Sequence, residues 1–132
     1  MMARHLAITM GDPAGIGPEI IVKAAAKLKD RLGSGDLRLL IIGSGAALRY
    51  AEQQLGVALP IPEVGDGAWA NLGFMQADRE GEPIKPGSLS ADGGRFAFKA
   101  VEKAVRLALA GEIAAIVTAP LNKEALNMAG YH

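Results

Sequence analysis

Three glycines lie close together near the start of the chain, in the segment Thr9-Met-Gly-Asp-Pro-Ala-Gly-Ile-Gly-Pro-Glu19. Gly11, Gly15 and Gly17 allow the backbone to turn sharply and to approach a ligand closely, because glycine has no Cβ. The proline after Gly17 suits the first position of a helix, and the N–H groups at the start of a helix attract anions. The pattern therefore predicts a loop that binds a cofactor or a substrate.

One carboxylate, Asp12, lies inside this loop. A carboxylate repels a bare phosphate, so the loop favours a nucleotide or a hydroxy-acid substrate, whose hydroxyl groups can donate to Asp12. The alternative is a tight turn between a strand and a helix that binds no ligand.

A second group of candidate binding residues, Thr118, Asn122 and Lys123, follows an apolar run near the end of the chain. Lys123 could neutralise a phosphate or a carboxylate, and Thr118 and Asn122 could donate hydrogen bonds to it. Ordinary structural roles remain open, since Asn122 can cap a helix and Lys123 can be a solvated lysine. Ligands of parallel sheets bind beyond the carboxyl ends of the strands, so we expect these residues to share a cleft with Asp12.

A third turn, Gly43-Ser-Gly45, follows the apolar run Leu37–Ile42. It resembles a dinucleotide-binding turn, but Leu48 occupies the position of the third glycine, and no acidic residue follows at the expected distance. We therefore interpret it as a tight turn between a strand and a helix.

The elements that must position these residues alternate along the chain. The order strand, helix, strand, helix, arm, helix, strand, helix predicts an α/β fold with a mainly parallel sheet and helices on both faces. The predicted strands are 5–10, 37–42 and 113–117, the predicted helices are 18–31, 46–55, 91–110 and a short one from 122, and the irregular arm is about 56–87.

The apolar spacing also predicts which side chains are buried. In the first helix these are Ile20, Ile21, Ala24, Ala25 and Leu28, and in the long helix they are Phe98, Val101, Val105, Ala108 and Leu109. Gly93 and Gly94 imply a close backbone approach at the start of the long helix. Trp69 and Phe74 are expected to form a satellite cluster or to meet a partner subunit.

Composition excludes several classes of function. Fourteen basic and 14 acidic residues balance among 132 residues, so no overall field favours nucleic acid, and no apolar run is long enough for a membrane-spanning helix. The absence of cysteine and the presence of only two histidines predict no metal site in this chain. We expect a single cytoplasmic domain.

Two separated motifs resemble one known family. The segment Gly11–Glu19 resembles the N-terminal motif of the 4-hydroxythreonine-4-phosphate dehydrogenases, and it is similar to the shorter loop of the isocitrate and isopropylmalate dehydrogenases. The second match comprises Lys85-Pro-Gly-Ser88, Gly111–Pro120, Asn122-Lys-Glu-Ala125 and Ala129-Gly130. The resemblance implies that residues 1–132 form the N-terminal portion of a two-domain, homodimeric enzyme.

The resemblance also implies the reaction. The whole enzyme would oxidise 4-phosphohydroxy-L-threonine with NAD or NADP to a 3-keto acid, which decarboxylates to 3-amino-2-oxopropyl phosphate. A divalent metal (Zn, Mg, Mn or Co), held by residues beyond this chain, would polarise the hydroxyl group. Residues 11–17 and 118–123 would bind cofactor or substrate, no catalytic residue would lie in this chain, and the portion alone would be inactive.

Three other functions stay open. The segments Leu89–Arg95 and Leu121–Leu126 look closer to relatives that act on phosphorylated threonate or erythronate. A phosphate acyltransferase of related fold and a non-catalytic nucleotide-binding module are the alternatives from other classes.

Overall fold

The computed structural model describes residues 4–59, 61–64 and 71–132. Within them, every predicted strand and helix has a counterpart, the first helical segment is divided in two, and one further strand is present. The elements are β1 (Arg4–Thr9), α1 (Gly17–Lys27), α2 (Lys29–Ser34), β2 (Leu37–Gly43), α3 (Gly45–Leu55), β3 (Leu72–Gln76), α4 (Ala91–Leu109), β4 (Ala115–Thr118) and α5 (Lys123–Met128).

The four strands form one parallel sheet in the order β3-β2-β1-β4. The central strand β1 pairs with β2 from Arg4 opposite Leu37 to Thr9 opposite Ile42, and with β4 from Leu6 opposite Ala115 to Thr9 opposite Thr118. The carboxyl ends of all four strands therefore lie at one edge, and the loops after β1 and β4 are neighbours there. The predicted fold class is confirmed.

Helices cover both faces of this sheet. On one face α4 packs through Phe96, Ala100 and Ala104 against Ala7, Leu40 and Ile42. On the other, Ile21 and Val22 of α1 and Leu48 of α3 pack against Ile41 and Phe74. The strand β2 is buried at six of its seven positions, which explains its almost unbroken apolar sequence.

The first helical segment is two helices rather than one. The prediction of a single helix over 18–31 is wrong, because α1 ends at Lys27 and α2 begins at Lys29, and α2 ends before Gly35 in the left-handed conformation. Ile20 is exposed, and Val22 is buried in its place beside Ile21.

The predicted buried stripe of the long helix is also wrong. The buried residues of α4 are Gly93, Gly94, Phe96, Ala97, Ala100 and Ala104, whereas Val105 is exposed and Leu109 is 84% exposed. Apart from Phe96, the residues of α4 that face the core are glycine and alanine, and Gly94 lets the helix lie close to α5, whereas Val105 and Leu109 lie outside this face. Phe98 stacks on Tyr131 with ring centroids 3.8 Å apart.

The arm contains a strand that the sequence analysis missed. Residues 72–76 form β3, which pairs in parallel with β2 from Leu39 opposite Leu72 to Gly43 opposite Gln76. Phe74 is therefore buried in the main core and not in a satellite cluster. Trp69 lies outside the described residues.

No helix in residues 4–59, 61–64 and 71–132 combines the length and apolar character needed to cross a membrane.

Candidate functional site

Two of the three loop glycines are required by packing. Gly11 has φ +74°, and a Cβ there would run into the carbonyl oxygen of Pro120. A Cβ on Gly17 would run into the carbonyl of Met10 and lie 3.2 Å from the Cβ of Ala119. The loop at 11–17 therefore touches the turn at 119–120, as expected from the sheet topology.

Asp12 is buried, with 5% of its surface exposed. Its Oδ1 accepts a hydrogen bond from the backbone N–H of Ala14 at 2.9 Å. Its carboxyl carbon lies 2.8 Å from the position that a Cβ on Gly93 would take, so the carboxylate faces the first turn of α4. Burial raises the pKa of Asp12, and the Ala14 hydrogen bond offsets part of this effect. The structure thus places Asp12 between the loop and α4.

Gly94, the second glycine of α4, is also explained by a close contact, in this case with the backbone of α5. A Cβ on Gly94 would run into the carbonyl of Ala125 and lie 2.8 Å from the backbone nitrogen of Leu126. The prediction that Gly93 and Gly94 mark close contacts is confirmed, and the contacts are Asp12 and α5.

The second predicted group lies at the same edge of the sheet and is exposed. Thr118 is the last residue of β4 and sits in register with Thr9, and the backbone N–H of Ala119 donates to the carbonyl of Thr9 at 2.9 Å. Asn122 caps α5, because its Oδ1 accepts from the N–H of Ala125 at 3.1 Å. Lys123 is exposed at the first position of α5, with its ammonium available to a ligand.

A cavity of about 630 Å³ opens on the other side of the glycine loop. Gly15 is exposed and lines it, together with Pro18 at the start of α1 and Tyr50 of α3. No residue of 118–123 lines this cavity. Of the predicted loop residues, Gly15 is therefore the one that faces the open space beside α3, while Gly11 faces the turn at 119–120.

The roof of the cavity is a segment that the sequence analysis did not single out. We call residues 81–86 the strap. At one end Glu80 is held at the start of α3, and at the other the N–H of Gly87 donates to the carbonyl of Ala14 at 2.7 Å. Pro83 and Pro86 face the cavity from the strap.

Protein side chains occupy the start of α3. The Oγ of Ser44 accepts from the N–H of Ala47 at 3.2 Å and donates to Glu80 Oε1 at 2.7 Å. The N–H of Ala46 also donates to Glu80 Oε1, at 3.2 Å, and the N–H of Gly45 donates to Gln76 at 2.9 Å. The carboxylate of Glu80 thus accepts from N–H and hydroxyl donors at the start of α3, and residues 43–45 form a tight turn between β2 and α3. That this turn binds no dinucleotide stays a prediction.

The same hydrogen-bond donors lower the pKa of Glu80. Burial by itself would raise its pKa, but hydrogen bonds from Ser44, Gln76 and Ala46 outweigh burial and hold the pKa below its ordinary value. Glu80 lies 36 residues after Ser44, and no local pattern connects the two positions in the sequence.

A smaller groove of about 470 Å³ lies beside the end of β3 and is lined by charged residues of α4. Lys103 donates to the carbonyl of Gln76 at 2.8 Å, and Lys99 and Arg106 both pair with Glu102. These cations are already engaged within the protein, so the groove offers less free charge than its composition indicates.

No group of three His, Cys, Asp or Glu side chains in the described part of the chain is arranged to hold a metal ion. The described residues therefore do not fit the divalent metal that the sequence resemblance implies, and we derive no chemical step through it.

Comparison with known proteins identifies relatives across the chain. The family model described as "Pyridoxal phosphate biosynthetic protein PdxA" matches residues 35–132. A protein of Bradyrhizobium diazoefficiens, provisionally named a D-threonate 4-phosphate dehydrogenase, is 70% identical over 100% of this chain and 39% of its own length. The 4-hydroxythreonine-4-phosphate dehydrogenase of Prosthecochloris aestuarii is 40% identical over 93% of this chain and 38% of its own length.

A solved structure gives the same result for the fold. The crystal structure of a 4-hydroxythreonine-4-phosphate dehydrogenase from Burkholderia phymatum matches with a TM-score of 0.82 and 33% identity, over 99% of this chain and 40% of that one. The chain thus spans about two fifths of the length of the relatives that it matches.

Proposed function

The chain belongs to the family described as pyridoxal phosphate biosynthetic protein PdxA, and from this premise we propose that the protein containing it is a dehydrogenase of D-threonate 4-phosphate. The observation that carries the choice of substrate is the 70% identity, over the whole chain, to a relative provisionally named for that substrate. Two relatives named for 4-hydroxythreonine 4-phosphate are 40% and 42% identical.

The reaction that we propose is oxidation of a secondary alcohol at C3. The hydride passes to NAD or NADP, the hydroxyl proton leaves to a base, and the resulting 3-keto acid loses carbon dioxide because the ketone accepts the electrons of the breaking bond. The divalent metal that the resemblance implies would have to be held beyond the described residues. We propose a homodimer as the assembly.

This chain's own residues would supply one wall of the substrate cleft. Thr118 and Lys123 are exposed where β4 meets α5, beside the loop after β1. The ammonium of Lys123 has the charge to bind the substrate phosphate, and the hydroxyl of Thr118 can donate to it. Asn122 is engaged as the cap of α5, so we assign its side chain a supporting role. Asp12 would position the loop through α4. Gly15 faces the separate cavity beside α3, so we assign it no contact with a ligand at Thr118 and Lys123.

A second candidate substrate is 4-hydroxythreonine 4-phosphate, which the relative from Prosthecochloris aestuarii favours. The two substrates differ at C2, where one carries a hydroxyl group and the other an ammonium group. A buried site that accepts one of them leaves the other with unmatched hydrogen bonds and charge, so discrimination should be strong.

Steady-state kinetics of the intact protein test the proposal. Each substrate is offered with NAD⁺ and with NADP⁺, and reduction of the nicotinamide is followed by absorbance. We expect kcat/KM for D-threonate 4-phosphate to exceed that for 4-hydroxythreonine 4-phosphate by at least about tenfold. The reverse ratio would support the second candidate, and failure to reduce either cofactor with either substrate would contradict a dehydrogenase and favour an acyltransferase or a binding module.

A further inference from the structure

Lys123, the residue proposed to bind the substrate phosphate, begins a helix that needs support from its neighbours. This helix, α5, has six residues, and isolated helices shorter than about 12–15 residues are marginal in water. Ala125 is its buried residue, and the rest of α5 is exposed or half-buried. The direction in which Lys123 points therefore depends on the contacts that hold α5 against the rest of the protein.

Contacts in the middle of α5 and beyond its carboxyl end hold it against α4. In the middle, the carbonyl of Ala125 lies so close to Gly94 that a Cβ on this glycine would overlap it. Beyond the end, the ring of Tyr131 stacks on the ring of Phe98, with centroids 3.8 Å apart and 8° between the ring planes. Because these contacts are separated along α5, together they fix its direction as well as its distance from α4.

The backbone at the end of α5 places Tyr131 where it can make this stack. Gly130 is in the left-handed conformation, with φ +93°, and its N–H donates to the carbonyl of Asn127 at 3.0 Å. The N–H of Tyr131 donates to the carbonyl of Leu126 at 2.9 Å. These two bonds form a Schellman motif, in which the residue after the glycine commonly makes a hydrophobic contact. Here that contact is with another helix, so the motif that ends α5 also attaches it to α4.

Thr118, the other residue proposed to bind the phosphate, is positioned by different means. It is the last residue of β4, where it lies in register with Thr9 of the central strand β1. The sheet therefore holds Thr118, whereas α5 holds Lys123. Loss of the ring stack should move Lys123 and leave Thr118 in place.

We propose that Phe98 and Tyr131 are positioning residues for the substrate phosphate, because their stack holds α5 so that Lys123 and Thr118 converge on the same phosphate group. This inference rests on the proposed function, which supplies the phosphate and its two ligands. Neither aromatic ring contacts the phosphate, and both act through the direction of α5.

Amide hydrogen exchange of the intact protein tests the role of the stack without any substrate. Tyr131→Ala removes the ring, and we expect the amides of Leu126 and Ala129, which are hydrogen-bonded within α5, to exchange at least about threefold faster than in the wild type. The amides of β2 should be unchanged, since a change there would indicate a general loss of stability. Unchanged exchange of the α5 amides would overturn the proposal.

Tyr131→Phe is the matched control for this measurement. It keeps the ring and removes the hydroxyl group, which takes part in no hydrogen bond within the described part of the chain. Its α5 amides should exchange as in the wild type. Equal acceleration in Tyr131→Phe and Tyr131→Ala would show that the stack is not what holds α5, and would overturn the proposal.

Steady-state kinetics with D-threonate 4-phosphate separate positioning from a purely structural role. We expect Tyr131→Ala to raise KM at least about threefold and to leave kcat within about twofold of the wild type, and Tyr131→Phe to change neither. In the Lys123→Gln background, Tyr131→Ala should no longer raise KM, whereas in the Thr118→Val background it should raise KM as before.

The outcomes of the kinetic experiment are distinct. An unchanged KM in Tyr131→Ala, a loss confined to kcat, or an equal rise of KM in the Lys123→Gln and Thr118→Val backgrounds would overturn the proposal. Absence of turnover by the wild type would contradict the dehydrogenase assignment itself. Turnover by the wild type without these responses would contradict only the role of the stack.

Discussion

The carboxylate of Asp12 occupies the space that a side chain on Gly93 would need. A Cβ on Gly93 would lie 2.8 Å from Asp12 Cγ, closer than such atoms approach in proteins. This contact joins the loop after β1 to the first turn of α4, and it explains both the buried carboxylate and the glycine in a helix. The loop and the helix therefore depend on each other for their positions.

Replacement of Gly93 by alanine should destabilise the protein by about 1–3 kcal/mol, since overpacking forces the carboxylate or the helix to move. Urea unfolding measures the change in the free energy of unfolding. Gly33→Ala is the control, because a Cβ there meets nothing within 4 Å and alanine favours the helical state. If both variants lost equal stability, the Asp12 contact would not be the cause.

Replacement of Asp12 by asparagine should change how stability depends on pH. Burial raises the folded pKa of Asp12 above its ordinary value of 3.8, so the contribution of Asp12 to stability is fully present below that value and is lost as the pH rises through the folded pKa. The asparagine side chain of the variant cannot ionise, and its oxygen can still accept from Ala14. Urea titrations between acid and neutral pH should therefore show Asp12→Asn gaining stability relative to the wild type as the pH rises.

Asp78 is a useful comparison in the same urea titrations, because its pKa is shifted in the opposite direction to that of Asp12. Burial would raise its pKa, but hydrogen bonds from the Arg79 N–H and the Arg95 side chain outweigh burial and lower it. The wild type should therefore exceed Asp78→Asn in stability near neutral pH, and the difference should close as the pH falls. A parallel response of the Asp12 and Asp78 variants would contradict the assignment of opposite shifts.

Loss of the Glu80 anchor should release the strap and the start of α3. We expect Glu80→Ala to lower the free energy of unfolding by about 1–3 kcal/mol, since Ser44 and Gln76 lose their shared acceptor. Limited trypsin digestion should cut faster after Arg79 in this variant. Glu82→Ala is the matched control, because Glu82 is an exposed residue of the strap outside the Ser44–Gln76 network, and it should behave like the wild type.

The phosphate contact proposed for Lys123 has its own test. Lys123→Gln should raise KM for D-threonate 4-phosphate by about tenfold in the intact protein, since a hydrogen bond to a charged group contributes about 1.5 kcal/mol. Lys27→Gln alters an exposed lysine at the end of α1 and should leave KM unchanged. An unchanged KM in Lys123→Gln, with the protein folded, would remove Lys123 from the site.

The sequence predicted the order of the elements well because its signals there are local. The apolar run of β2, the glycines that end helices and the two family-like motifs all lie within short segments. The contact between the loops after β1 and β4 also followed from the sequence, since parallel topology brings those ends together.

The sequence did not predict features that depend on distant partners. Strand β3 lies in a segment rich in proline and glycine, and its pairing with β2 is what makes it a strand. Glu80 carries no signal of its own, because its role arises from Ser44 and Gln76. The inner face of α4 was misassigned because hydrophobicity favoured Val105 and Leu109, whereas that face consists of Phe96 and several glycines and alanines.

The small residues on the inner face of α4 also determine which substitutions the chain can accept. Gly94, Ala97, Ala100 and Ala104 are buried on this face, and at Gly94 even a Cβ would overlap the carbonyl of Ala125. Along this helix, natural variation should therefore be limited by side-chain volume at every third or fourth position, while polarity can change freely at positions such as Leu109. Relatives whose sequences differ greatly can keep this helix in the same position, because they need to preserve only the distance between α4 and the elements packed against it.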